Sequence, residues 1–375
     1  CIVCGSSAGC FQCEFQDICD IPNVSQLCIC KTCSDEKDSF NSYQILKSGT
    51  IVLRLTDLQN DKKSLRVGLA KEQGIITSAY VGLLPNSKII PEYLYYLLHS
   101  YDISKVFYGM GGGVRQSLSF SELKRLPLLN FSTEEQKQIV EFLIPELSKI
   151  NSHILKHKQL IKILKEKEQT TIKSILNRKI TLFNKITSKT KQKDWQTVRL
   201  KFLSQIKTGN KDTIDNEPDA EFPFFVRSKK AQKISTYSYD GEAVLTAGDG
   251  DIGKIFHYIN GKFDYHQRVY KISNFKKILG KYCYYYMKEN FYDYVIGLSA
   301  KTTVDSLRLD MVQNFPITYG TLDEQQQISD FLDEITSKIK LLITQTNSQI
   351  KNLQESYQSL IYSSVTGKIC VTNQI

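Results

Sequence analysis

A set of residues in the middle of the chain occurs twice, and that repeat limits what the chain can become. Glu135-Gln136, Gln138-Ile139, Phe142-Leu143, Ile150 and Ile161 return 189 positions later as Glu324-Gln325, Gln327-Ile328, Phe331-Leu332, Ile339 and Ile350. The same offset relates Pro127 to Pro316 upstream and Lys179-Ile180 to Lys368-Ile369 downstream. One register held from Pro127 to Ile180 marks a duplicated chain, each half of which ends in a long helix.

The helices announce themselves by caps and periodicity. Ser132 or Thr133 can cap the first, with Glu134 and Glu135 at the positive end of its dipole. Pro145 is expected to kink or restart it. Beyond that point Leu147, Ile150, Ile154, His157, Ile161 and Leu164 step alternately by three and four, the spacing of a narrow heptad seam. His157 reads as a seam or rim residue rather than a ligand. The second helix starts at Leu322 or Asp323, with the seam Leu332, Ile335, Ile339, Leu342, Thr346, Leu353, Tyr357 and Leu360. Forty helical residues span roughly 60 Å, and a narrow apolar stripe of that length needs a partner. Two seams of matched length predict that the helices pair with each other.

The fold class that follows is α+β: two β-rich globular domains, each followed by a long helix, the helices pairing as an antiparallel coiled coil. The expected segments are 1–131 (with 1–33 atypical and cysteine-rich), 132–180 for the first helix, 181–194 as a basic linker, 195–320, and 321–375 for the second helix and tail. In the first half, Ile51-Val52-Leu53 reads as a buried strand entered by a turn at Gly49. Ile75 to Val81 reads as another strand, and Pro91 opens a helix with Tyr93, Leu94, Leu97 and Leu98 on one face, whose repeat partner is Tyr282 to Tyr286. In the second half, Pro223 to Ser228 and Ala243 to Thr246 read as strands. Gly248 to Gly253 reads as a tight turn, Tyr258 to Phe263 as a hairpin around Asn260-Gly261, and His266 to Tyr270 as further β structure.

At 375 residues, 41% hydrophobic and 23% charged, the chain has the make-up of an ordinary soluble globular protein of about two domains. No run approaches the ~18 uncharged apolar residues of a membrane span, and no basic segment leads into an apolar one as in a secretion leader. A cytoplasmic chain is expected. The net charge of +10 is concentrated in one place: Lys173, Arg178, Lys179, Lys185, Lys189, Lys191 and Lys193 occur with no acidic residue among them. That run suits a polyanion or a solvated linker.

Cys1/Cys4, Cys10/Cys13 and Cys30/Cys33 form CxxC pairs, with Cys19 and Cys28 between them. Such pairs can grip a tetrahedral zinc, but their packing is irregular, and a divergent segment is the preferred reading. The loop Gly109 to Gln116 has Val114 where a dinucleotide fingerprint needs glycine. There is no GxxxxGK[ST] loop, no Asn- or Asp-Pro-Pro-aromatic motif, no HExxH. The carboxylates Asp249 and Asp251 lie in a glycine-rich turn and read as turn formers. The chain looks like a binder rather than a catalyst, and no metal is assigned to it.

At this point the arrangement resembles the DNA-specificity subunit of type I restriction–modification systems. The likeness runs from about Tyr43 to the C-terminus. It rests on two variable β-rich segments, each followed by Pro-Leu or Pro-Ile and a Glu-Gln-x-Gln-Ile helix start: Pro127-Leu128 with Glu135 to Ile139, and Pro316-Ile317 with Glu324 to Ile328. The resemblance implies that each recognition domain reads half of a split site in double-stranded DNA, while the paired helices act as a ruler. It implies partners too: two methyltransferase subunits that use S-adenosylmethionine, and restriction (translocase/endonuclease) subunits that use ATP and Mg, with no cofactor bound by this chain.

Base-reading candidates combine donors or acceptors with polar loops, since Arg suits guanine and Asn or Gln suits adenine. They are Arg115 and Gln116 in the first domain, and Lys207, Asn210, Lys211, Arg227, Lys229, Lys230, Gln267, Arg268, Lys301 and Thr302 in the second. Helix pairing is assigned to Leu147, Ile150, Ile154, Ile161, Leu164, Leu332, Ile335, Ile339, Leu342, Leu353 and Leu360. The departure is at the N-terminus: Ser6 stands where the repeat would place a partner for Trp195, and positions 34–39 show no counterpart of Pro223 to Ser228. Two alternatives stay open, a coiled-coil scaffold without DNA specificity and a zinc-dependent nucleic-acid-binding protein.

Overall fold

The computed structural model describes residues 43–60, 65–110, 117–176, 195–298 and 306–371. The N-terminal cysteines, most of the basic run, and the candidates Arg115, Gln116, Lys301 and Thr302 lie outside the described residues. The chain divides into two compact units, Cys1–Lys158 with Asn347–Ile375, and Gln159–Thr346.

In the first unit β1 (Gln44–Leu46) pairs with β4 (Gly74–Ile76), and β2 (Ile51–Leu53) is flanked by β3 (Val67–Leu69) and β5 (Val81–Leu83), all antiparallel. The single strand expected from Ile75 to Val81 is two strands. A turn closed by the Tyr80 N–H donating to the Thr77 carbonyl, 3.1 Å, separates them and sends them to different sheets. Helix α1 (Pro91–Ile103) has proline at its first turn and is buried on two sides. Leu94 and Leu98 pack with Ile51, Leu53, Leu55 and Phe107. Tyr93 and Leu97 instead join Ile139, Val140, Leu143 and Leu147 from the start of α3 (Thr133–Leu176; α2 is the short Phe120–Leu123), together with Tyr357, Ile361 and Val365 from the end of the last helix.

The second unit is built on a six-stranded sheet. Its order is β7 (Gln205–Thr208), β12 (Val269–Ser273), β10 (Tyr239–Ala247), β11 (Phe256–Tyr265), β8 (Phe222–Phe225) and β9 (Gln232–Ile234), antiparallel except for β11 with β8. A separate pair joins β6 (Gln196–Arg199) to β13 (Pro316–Tyr319). The hairpin expected at Asn260-Gly261 does not form. Asn260 pairs with Glu242 and Gly261 with Gly241 in an unbroken ladder that runs from Thr246/Phe256 to Tyr239/Phe263, so β11 passes straight through. A two-residue hairpin turn needs positive φ at its first central residue, and Asn260 does not have it.

Alternation along β10 divides the sheet. Val244, with Ile272, faces α4 (Gly280–Leu298) and a core of Tyr282, Cys283, Met287 and Phe291. Leu245 and Ala243 face a smaller cluster with Phe225, Phe263, Tyr265 and Val269. Helix α5 (Leu309–Gln313) precedes β13, and the last helix, α6, runs Leu322–Val365. Ile172, Ile175 and Leu176 from the end of α3 and Ile328 and Leu332 from the start of α6 belong to the larger core.

The long helices therefore meet end to start within each unit: the start of α3 with the end of α6 in one, the end of α3 with the start of α6 in the other. That is the antiparallel pairing. Leu147, Ile154, Leu332 and Ile339 are buried, and Ile150, Ile161, Leu164, Ile335, Leu353 and Leu360 are half-buried. Leu342 is a correction. It is 46% exposed, and Ile343 takes its place in a run Ile339, Ile343, Thr346, Ile350, Leu353, Tyr357 that keeps alternating steps of four and three. A one-residue error on a helix turns the side chain by about 100°, which carries Leu342 out of the seam. Thr346 is buried there because its hydroxyl donates to the Leu342 carbonyl, 2.7 Å. Nor does the helix restart at Pro145, which lies inside α3. The proline and Glu141, whose carbonyl loses its helical donor, are both exposed, so water can supply the missing partner.

Candidate nucleic-acid interface

The sheet register brings several loops to one rim of the second unit. Thr208 lies opposite Tyr270, Ala247 opposite Val269, and Tyr265 beside Phe225. The segments that continue from these strand ends are therefore neighbours: Gly209 to Asp212, Gly248-Asp249, His266 to Arg268, and Val226 to Lys230. Asp249 forms a bridge with Ser306, and the Leu307 N–H donates to the Gly248 carbonyl at 2.7 Å, so Ser306 and Leu307 lie against the same rim.

Two glycines permit this convergence. A Cβ on Gly209 would stand 1.9 Å from the Tyr265 carbonyl oxygen, and one on Gly248 2.9 Å from that of Arg268. The turn they press against is pinned throughout. The His266 N–H donates to Phe225 O at 3.0 Å, Gln267 N–H to Lys211 O at 2.8 Å, and Gly248 N–H to Arg268 O at 2.8 Å. His266 is buried, and its Nδ1 accepts from the Arg268 N–H at 2.9 Å, which leaves the proton on Nε2 facing Asp212 Oδ1 at 3.6 Å.

Two carboxylates organise the polar side chains. Asp249 accepts from Arg227 Nη1 at 3.1 Å on each oxygen and from Arg268 Nη1 at 2.8 Å on Oδ2. Partial burial pushes its carboxyl up, but the hydrogen bonds and charges of the two arginines prevail and hold it below the usual range. Asp212 accepts from Gln267 Nε2 at 2.8 Å. The Thr213 N–H, chiefly, holds the Asp212 carboxyl low as well. With one of its two amide N–H groups committed to Asp212, Gln267 keeps the other N–H and its carbonyl oxygen to offer a ligand.

Of the sequence candidates, the rim gathers Asn210, Lys211, Arg227, Lys229, Lys230, Gln267 and Arg268. Lys229, Lys230 and Asn210 are exposed, and Lys211, Lys229 and Lys230 have no ion pair among the described residues. Lys207 is set apart, inside β7 and opposite Lys271. The Lys271 ammonium lies 3.4 Å from the Tyr239 ring centre; burial, then the nearby Lys207, lower its pKa to about 8. Asp249, Asp212 and His266 were not among the candidates. An aspartate in a glycine-rich turn reads as a turn former, and what makes Asp249 more than that is the arrival of arginines from positions 227 and 268.

Residues 192–352, which contain every segment of the rim, match the family model described as Type I restriction modification DNA specificity domain. The segment that carries the rim thus matches the specificity domain of type I restriction–modification systems. It is 24% identical over 176 residues to the Type I restriction enzyme EcoDI specificity subunit of Escherichia coli, a match that covers 47% of this chain and 39% of that protein. The chain thus aligns with well under half the length of that curated relative. Among solved structures, its fold is similar to a chain from a study of complex assembly and conformational transition in the type I R-M system, with TM-score 0.66, 16% identity and coverage of 86% of this chain and 83% of that one. It is also similar to the HsdS subunit from Thermoanaerobacter tengcongensis, with TM-score 0.50, 16% identity and coverage of 87% and 82%.

Within the specificity domain, the rim is a donor-rich surface on a rigid base. Guanidinium and ammonium groups point outward, while the backbone beneath them is held by the sheet. Among the described residues no cluster of three or more His, Cys, Asp or Glu could hold a metal, and no helix is long and apolar enough to cross a membrane.

Proposed function

We propose that this chain is a DNA-reading specificity subunit whose second recognition domain, 195–320, contacts base edges through the rim that carries Arg227, Arg268, Gln267 and Asn210. The observation that carries the reading is the gathering of those side chains, from three separate loops, at one end of a single sheet. Lys211, Lys229 and Lys230 supply the phosphate contacts that set affinity without sequence preference. The segment 43–131, which leads into the first helix through the same Glu-Gln-x-Gln-Ile start, serves as the counterpart that reads the other half of a split site. The paired helices hold the halves apart. The chain performs no chemistry. Two methyltransferase subunits with S-adenosylmethionine, and restriction subunits with ATP and Mg, act at the site it selects.

The test is co-production with candidate methyltransferase subunits, followed by mapping of methylated adenines. The expected pattern is two short specified stretches separated by a fixed number of unspecified base pairs. A continuous motif, or no methylation, overturns the split-site reading. A scaffold that binds protein alone predicts that duplex DNA is not retarded at any salt concentration, and it leaves the rim's cations without a purpose.

A further inference from the structure

Asp249 stands behind the two arginines in an arrangement that suits one kind of target. Its side chain is 15% exposed, against 42% for Arg227 and 63% for Arg268. Each guanidinium spends Nη1 on the carboxylate and keeps its other N–H donors. The Arg268 backbone is fixed on both sides, by His266 Nδ1 at its N–H and by the Gly248 N–H at its carbonyl. The side-chain torsions are what remain to be set, and the carboxylate sets them.

A shared carboxylate is a poor choice for holding a phosphate, because it places a negative charge beside the ligand's own. It is a good choice for presenting donors to a neutral acceptor. Guanine offers O6 and N7 in the major groove, the acceptor pair a guanidinium fork matches. We infer that Asp249 is a positioning residue that presents Arg227 and Arg268 as a preset pair to guanine edges in the half-site read by this domain. The inference rests on the DNA-reading proposal above.

The test is selection of preferred duplexes from a randomised library by the full chain, beside binding of one unrelated duplex at low salt. Asp249→Ala is expected to weaken the guanine preference about tenfold at the positions that Arg227→Lys or Arg268→Lys also disturb. It is also expected to tighten binding to the unrelated duplex, since a negative charge has been removed while both cations stay. A residue that merely supports the fold would loosen both. Asp249→Glu should restore part of the preference. If Asp249→Ala lowers the melting temperature sharply, Asp249→Asn, which keeps the volume and loses the charge, decides in its place. Retention of the wild-type motif at wild-type strength by the charge-removed variant overturns the inference while leaving DNA reading intact. The absence of guanine from the positions set by the two arginines does the same. A wild-type chain that enriches no motif removes the DNA-reading proposal, and the inference with it.

Discussion

Gln136 and Gln325, 189 positions apart, are both fully buried and make the same three hydrogen bonds. Gln136 Oε1 accepts from the Ile90 N–H at 2.9 Å, and its Nε2 donates to Lys88 O at 3.2 Å and Phe131 O at 2.9 Å. Gln325 does this with Leu279 N–H at 2.8 Å, Lys277 O at 3.1 Å and Gly320 O at 3.0 Å. Every partner obeys the repeat offset. So do the neighbours: Tyr93 donates to Leu129 O at 2.9 Å and Tyr282 to Thr318 O at 2.7 Å, while Ser132/Glu135 and Thr321/Glu324 form matching capping boxes. The duplicated motif is thus a joint. One glutamine ties the start of a long helix to the entry of the shorter helix before it.

Gln325→Leu should destabilise the second unit by about 3 kcal/mol, because it leaves one N–H and two carbonyls, that of Gly320 buried, without their partner. Gln325→Glu keeps the acceptor and loses the donor, and should be as damaging. Chemical denaturation of the variants checks both. Wild-type stability in either would show that the joint is incidental.

Arg227→Ala and Arg268→Ala should each weaken binding to the specific target by about 1 to 3 kcal/mol and weaken non-specific binding less. Lys229→Ala should weaken both and reduce the slope of log affinity against log salt by about one. Titrations at several salt concentrations separate the two kinds of contact. Equal losses on both DNAs would reassign the arginines to phosphates.

His99 gives the first unit an acid-side weakness. It is buried on α1 against Tyr95, its Nδ1 has no hydrogen-bond partner, and burial lowers its pKa from 6.5 to about 4. A group depressed in this way supports the fold fully above its unfolded pKa, and that support is lost as pH falls through the folded value. Between pH 6.5 and 4 the unfolded chain binds the extra proton, so stability should fall by on the order of 3 kcal/mol. His99→Leu should flatten that part of the stability-against-pH curve. An unchanged acid limb would place the weakness elsewhere.

One heptad inserted into each long helix, the first after Glu166 on α3, should preserve the seam and lengthen the pair by roughly 10 Å. Mapping of methylated sites should then show both half-sites unchanged and the gap wider by about three base pairs. Altered half-sites with an unchanged gap would end the ruler reading.

Much of the fold was legible because it was written in short-range patterns. The cap at Ser132, the face of Tyr93, Leu94, Leu97 and Leu98, and the heptads of α3 all depend on residues a turn or two apart. The errors arose where a local rule met a longer-range one. Asn260-Gly261 carries a hairpin signal, yet a ladder of eight residue pairs with β10 is worth more than one tight turn. Leu342 fitted the three-and-four spacing as well as Ile343 did, and only the facing helix distinguishes them.

The sequence by itself determined that the chain is a duplication, that each half ends in a long helix with a heptad seam, and that cations and amides populate the loops of the second half. It determined these because periodicity and repetition are properties of one dimension. The tertiary structure alone decided which of those loops meet. Positions 212, 227, 249 and 268 become neighbours through the strand order β7-β12-β10-β11-β8. An aspartate becomes the holder of two arginines only when sheet pairing delivers both guanidiniums to within about 3 Å of it.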